Sequence, residues 1–191
     1  MQQLERIVNF VFQNSGSITT AKRISDYFKL QKLQASVDTV INYLDFIKES
    51  FLVYQASRFD IKGKRFLELF EKYYPSDTGL RHGMLGYRES DIGGVLENIV
   101  YLELKRRGYA VSVGTFDGLE IDFIAQKQDE KIYIQVCYLL ADQSVVEREF
   151  GNLEKIADNY PKYVLSMDEI DGGNRNGIQR IHIIDFLLQD S

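Results

Sequence analysis

Between residues 97 and 137 a few polar side chains have the types and spacing to do chemistry. Glu97 interrupts an apolar helical stretch, Asp122 stands between Ile121 and Phe123, and Gln135–Val136–Cys137 places two polar groups in an apolar run. Two carboxylates with a further oxygen ligand would hold a hard divalent cation such as Mg²⁺, which can activate water for hydrolysis. Glu97, Asp122 and Gln135 are therefore the candidate catalytic set, with Glu97 and Asp122 as its metal ligands. The third position weakens it. Gln135 offers only a neutral carbonyl. The expectation is a centre that no longer hydrolyses, with no cofactor in this chain and Mg²⁺ as the one candidate to test. Cys137 reads as a small buried hydrophobe. His82 and His182 are too isolated for a histidine-based metal or acyl-transfer site.

The elements that must position these groups follow from periodicity. Val95, Leu96, Ile99, Val100, Leu102 and Leu104 predict a helix opened by Gly93–Gly94 and stopped at Gly108, after the cations Lys105–Arg106–Arg107. Strands are expected over 109–113, 119–125 and 131–137, the last two joined by a polar turn over 126–130. Alternation puts Glu120 and Asp122 on one face, with Ile121, Phe123 and Ala125 on the other. Likewise Gln135 and Cys137 oppose Ile132, Ile134 and Val136. A helix over 142–159 ended by Pro161, strands over 162–167 and 180–185 around a loop at 171–177, and a closing turn at 186–188 complete this half.

The N-terminal half reads as helices over 4–13, from Thr19 or Thr20 onward, and over 34–48 with Ser36 as a possible cap. Leu4, Ile7, Val8 and Val11, then Ile24 and Phe28, then Val37, Val40, Ile41, Leu44 and Ile47 are the expected inward faces. A strand over 51–56, a polar turn over 60–65 and extended chain to Tyr74 follow. Three helices and a β-hairpin make the winged-helix plan. Its third helix would present Gln34, Asp38, Thr39, Asn42, Asp45 and Lys48, a poor charge balance for a DNA groove. Lys62, Lys64 and Arg65 in the turn are the better nucleic-acid contacts. The fold class expected is α/β, α+β overall: a winged-helix-like domain over 1–75 and a restriction-endonuclease-like α/β sandwich with a central mixed sheet over 76–191.

A helical carboxylate, a strand carboxylate and a polar pair on the next strand resemble the layout by which restriction-endonuclease-superfamily nucleases hold Mg²⁺, where the third element is Glu-x-Lys. Further, ESDIGGVLENIVYLELKRRGY, EIDFIA and KIYIQVCY resemble the C-terminal domain of unknown function in a bacterial and archaeal family of AAA+ ATPases. There it follows the ATPase core and a winged-helix segment. Residues 74–80 look like that family's strand ending in Asp-Thr-Gly-Leu, and 159–163 also fit. Members often keep Glu-Val-Lys where this chain has Gln135 and Cys137. The resemblance implies a phosphate loop, Gly-x-x-x-x-Gly-Lys-Ser/Thr, that the sequence lacks. The chain is then expected to be the C-terminal portion of a longer ATPase. Its partners would be that absent core, with DNA and a further copy of the chain as others to test.

Composition narrows the classes. With 191 residues, 45% hydrophobic, the chain can bury a core, and one cysteine excludes an internal disulfide and suits a reducing, cytoplasmic setting. Neither a signal peptide nor an apolar run of the ~20 residues a membrane span needs is found. Net charge is −5, but unevenly spread: residues 1–90 carry 13 lysines and arginines against 10 acids, residues 91–191 carry 10 against 18. The nuclease-like half is the acidic one, which disfavours a phosphate backbone without metal. The reading is a non-catalytic regulatory or recognition region of an AAA+ ATPase with a degenerate nuclease-like site. The alternatives are a divalent-metal nuclease using Glu97, Asp122 and Gln135, and a DNA-binding module without cleavage.

Overall fold

The computed structural model describes residues 2–169 and 173–189. The helices and strands, in chain order, are α1 Gln2–Gln13, β1 Ile18–Thr19, α2 Ala21–Leu30, α3 Val37–Glu49, β2 Val53–Asp60, β3 Arg65–Pro75, α4 Thr78–Leu85, α5 Ile92–Arg106, β4 Ala110–Phe116, β5 Leu119–Lys127, β6 Glu130–Val136, α6 Gln143–Glu154, β7 Lys162–Ser166, β8 Asn174–Arg175, β9 Ile178–His182 and α7 Ile183–Leu188. The chain is mixed α/β with a large mixed sheet. None of its described helices is long and apolar enough to cross a membrane.

Contacts divide the chain into residues 1–57 with 68–98, and 58–67 with 99–191. This division and the one expected after residue 75 differ in two segments: 76–98 joins the first unit, and the tip of the β2–β3 hairpin joins the second.

In the first unit the amphipathic helices pack as their periodicity requires. Ile7, Val11, Ile24, Phe28, Val40 and Ile47 are each no more than 1% exposed and form its core. Thr20 caps α2 by accepting from Arg23 N–H, and Ser36 caps α3 by accepting from Thr39 N–H. Two expected core residues are outside it. Val37 and Ile41 are exposed, because the row Val40–Leu44–Ile47 alone faces the core. The Asp-Thr-Gly-Leu stretch is also corrected: the strand stops at Pro75, and Asp77 caps α4 by accepting from Leu80 N–H at 3.0 Å.

In the second unit the strands run in the order β2 (by its last three residues, Arg58–Asp60), β4, β5, β6, β7, β9, β8. Pairs β2–β4, β6–β7 and β7–β9 are parallel, and β4–β5, β5–β6 and β8–β9 antiparallel. Gly108, at φ +84°, closes α5 as expected. Helix α6 is shorter than its pattern: it ends at Glu154, where Ile156 turns into the core through a tight bond to Leu153 C=O. The last strand is displaced too. It ends at His182, whose Nδ1 accepts from Ile184 N–H and starts α7 where strand and closing turn were expected. Residues 171 and 172 of the expected loop lie outside the described residues.

The alternation expected along β5 is broken. Ser112 faces Ile124 but Gly114 faces Ile121, so β5 carries one extra residue, a β-bulge at Asp122–Phe123. The bulge resets the parity. Ile121 and Ile124, three apart, share one core with Phe150 and Leu153 of α6, while Phe123 stacks against Tyr101 of α5 at 5.9 Å. Gly114 makes the bulge possible: a Cβ there would lie 2.9 Å from the Ile121 Cβ and 3.1 Å from Ile124 Cδ1. Gly114→Ala is expected to cost ~1–3 kcal/mol by overpacking, read as a lowered urea midpoint; an unchanged midpoint would refute the close approach.

Candidate functional site

Asp122 and Gln135 meet where two strands part. The β5–β6 ladder runs as far as Phe123 opposite Ile134. One step on, side chains take over from the backbone. Asp122 N–H donates to Gln135 Oε1 at 2.7 Å, and Val136 N–H donates to Asp122 Oδ2 at 2.9 Å. Backbone groups buried at a parting of strands need such partners. The bulge aims Asp122 at this job, and Gln135, 4% exposed, has the amide that fits it.

The network continues to a residue the motif did not include. Gln135 Nε2 donates to Glu149 Oε2 at 3.2 Å, and Arg148 holds Glu149 Oε1 through Nε at 2.8 Å and Nη2 at 2.6 Å. Glu149 is 4% exposed. Its position was legible: 149 follows Val146 by three and precedes Leu153 by four, on the apolar stripe of α6. Burial pushes the Glu149 carboxyl above the usual glutamate range, with Asp122 adding to the effect and Arg148 opposing it. Cys137 lies nearby, and burial, helped by Glu149, Asp168 and Asp122, pushes its thiol up to about 12. At neutral pH it is a thiol, and no nucleophile.

The raised Glu149 carboxyl has a consequence for stability. A carboxyl that binds its proton more tightly folded than unfolded contributes stability that is present below the unfolded value, near 4.5, and lost as pH rises through the folded one. In Glu149→Gln that loss should be absent. Urea unfolding between about pH 4 and 8 should show the wild type losing stability relative to the variant as pH rises; parallel curves would count against it.

Glu97 is placed elsewhere. It belongs to the first unit, where Lys72 Nζ donates to its Oε1 at 2.9 Å and the Tyr74 hydroxyl donates to the same oxygen at 2.6 Å. Lys72 is 2% exposed and Tyr74 fully buried. Gly16, at φ +74°, packs so closely that a Cβ would come within 2.9 Å of Glu97 Oε2. Glu97 also lines a polar cavity of about 240 Å³ with Ser15, Arg81 and Asp91. There Arg81, 2% exposed, donates from Nη2 to Asp91 at 2.6 Å and from Nε to Phe12 C=O at 3.1 Å. The structure thus brings Asp122 and Gln135 together and adds Glu149. Glu97 is engaged by Lys72 and Tyr74, residues of β3 that no local pattern connects to it. Among the described residues no three histidines, cysteines or acids are grouped to hold a metal ion.

Of the turn cations, Lys62 is paired with Asp117 at 2.9 Å, both exposed, whereas Lys64 and Arg65 face solvent.

The chain is thus a mixed α/β protein in which Glu97, Asp122 and Glu149 are held by the protein's own donors. Residues 1–91 match the model of a domain of unknown function (DUF8612). Over 186 residues, 97% of the chain, it is 37% identical to an uncharacterized protein of Haemophilus influenzae, 46% of which the match covers. Over 156 residues, 80% of the chain, it is 31% identical to an uncharacterized protein of Methanocaldococcus jannaschii, 33% of which is covered. The chain spans less than half the length of either relative. No solved structure matches it.

Proposed function

We propose that this chain is a recognition or regulatory region, without hydrolytic activity of its own, of a longer ATPase of the AAA+ type. One observation carries the first part. Each acid of the candidate centre has a partner within the protein: Asp122 takes Val136 N–H, Glu149 takes Arg148 and Gln135, and Glu97 takes Lys72 and Tyr74. A centre built to take up Mg²⁺ would keep converging oxygens for the ion. Here Gln135 links the Glu149 carboxylate to the backbone N–H of Asp122, as expected of a scaffold that has exchanged catalysis for stability.

The second part rests on the sequence resemblance, with the chain spanning 46% and 33% of its relatives. The order α1, α2, α3, then β2 and β3, supports a winged-helix plan in the first unit. The solvent side of α3 disfavours groove reading there, since Asp38 and Asp45 lie on it and Lys48 is tied to Asp45 at 2.8 Å. The mixed sheet of the second unit, with α5 and α6 residues packed on it, supports an endonuclease-like sandwich.

Calorimetric titration of Mg²⁺ and Mn²⁺, with DNA and RNA cleavage assays alongside, tests the reading. No binding heat that depends on Asp122 and no metal-dependent cleavage are expected. Cleavage by the wild type that Asp122→Ala abolishes without unfolding would replace it with the nuclease.

A further inference from the structure

Lys131, at the start of β6, takes no part in the acidic network. Its Nζ lies 4.8 Å from the ring centroid of Tyr133, 5.1 Å from that of Tyr160 and 6.0 Å from that of Phe59. It makes no ion pair among the described residues. Burial, and the charges of Lys64 and Lys162, hold its ammonium below the usual lysine range, with Asp158 opposing. An arriving anion would relieve a cation so placed.

Two cavities meet at this lysine, both within the second unit. One, of about 140 Å³, is lined by Phe59, Phe66, Ser112, Ile124, Gln126 and Lys131. It contains no acid. Phe59 and Phe66 stand edge to face at 5.2 Å, and Phe66 is 65% exposed. The other, of about 470 Å³, includes Tyr109, Tyr160 and Tyr163 with Asp129 and Glu130 in its wall. Tyr160 there is 44% exposed. An exposed aromatic ring in each of two cavities that share one cation, with a hydroxyl and an amide in the lining of the smaller, suits the alternation base, phosphate, base.

We infer that this face binds single-stranded nucleic acid, one base against Phe66, the next against Tyr160, and the phosphate between them on Lys131 with Lys64 alongside. The acids decide the register. Arg107 also lines the larger cavity but is paired with Glu103 at 2.6 Å, so Asp129 and Glu130 would repel a phosphate from it while admitting an uncharged base, and Glu130 already accepts from the Tyr109 hydroxyl at 3.0 Å. A mononucleotide would leave one cavity unused. A duplex keeps its bases stacked inside and cannot offer them to the rings. Two lysines on the backbone imply a weak salt dependence, a slope of log K against log salt of about −1.4.

This deepens the recognition reading, and the two fail separately: metal-dependent cleavage would end that reading and leave binding intact, whereas absent binding would end only this one. The test is fluorescence anisotropy of the full chain with labelled oligo-dT and oligo-U of about a dozen nucleotides, a duplex of the same length, and UMP as competitor. Lys131→Met keeps the apolar stem packed and removes the charge. It is expected to weaken binding roughly tenfold and to reduce the salt slope by about 0.7. Phe66→Ala and Tyr160→Ala should each weaken it by roughly five- to a hundredfold, with circular dichroism showing both variants folded at the assay temperature. Absence of single-strand binding at low salt, binding that Lys131→Met leaves untouched, a duplex bound as tightly as the single strand, or UMP competing as well as the oligomer would each overturn the inference.

Discussion

Glu97→Ala is expected to destabilise the protein by about 3–5 kcal/mol, the largest loss from any single change at the candidate residues. Lys72 is 2% exposed, and the Glu97 carboxylate 2.9 Å away neutralises it. Taking an ammonium out of water costs several kcal/mol, which a close counter-charge offsets. Alanine removes that counter-charge and the acceptor of the Tyr74 hydroxyl together. Glu97→Gln keeps an acceptor and should cost less than the alanine. The double change Lys72→Met with Glu97→Leu removes both charges and should recover most of the loss, because well-packed apolar residues often equal a buried ion pair. Urea unfolding followed by circular dichroism measures all three. A cost below about 1 kcal/mol for Glu97→Ala would show that the pair does not hold the first unit together.

Asp122→Ala is expected to cost about 1.5–3 kcal/mol, the worth of a hydrogen bond to a charged acceptor. Its Oδ2 is the partner of Val136 N–H where the β5–β6 ladder has ended. The sign separates two roles. A carboxylate kept for a cation is held near Glu149 at an electrostatic cost, so its removal would leave stability unchanged or raise it, as removing like-charge crowding does. A carboxylate that completes the backbone bonding lowers stability when removed. Asp122→Asn keeps an acceptor oxygen and should fall between wild type and alanine. Thermal and urea unfolding of the three proteins decides it, and a stabilised alanine variant would point back to a cation site.

Much of the architecture could be read locally. The helices over the first fifty residues, their caps at Thr20 and Ser36, the Gly108 stop and the strands β4 to β7 follow from periodicity and capping chemistry acting over a few residues. The meeting of Asp122 with Gln135 was legible as well, because a short turn between neighbouring strands sets the register. Glu149 could have been found from its place on the apolar stripe of α6.

Other features depended on contacts distant in sequence. Nothing near Glu97 reveals that Lys72 and Tyr74 take its carboxylate, since those residues lie more than twenty positions away on another element. The bulge at Asp122 depends on Gly114 of the facing strand, which alone lets the chains approach closely enough. The parallel pairing of Arg58–Asp60 with Val113–Thr115 places the hairpin tip in the second unit, and parallel pairing leaves no turn signal between its partners. The sequence by itself therefore determined most of the elements and the candidate acids Glu97 and Asp122, because propensity, capping and side-chain period act locally. Only the tertiary structure decided what those acids hold, because a buried charge is satisfied by whichever donor the fold brings beside it.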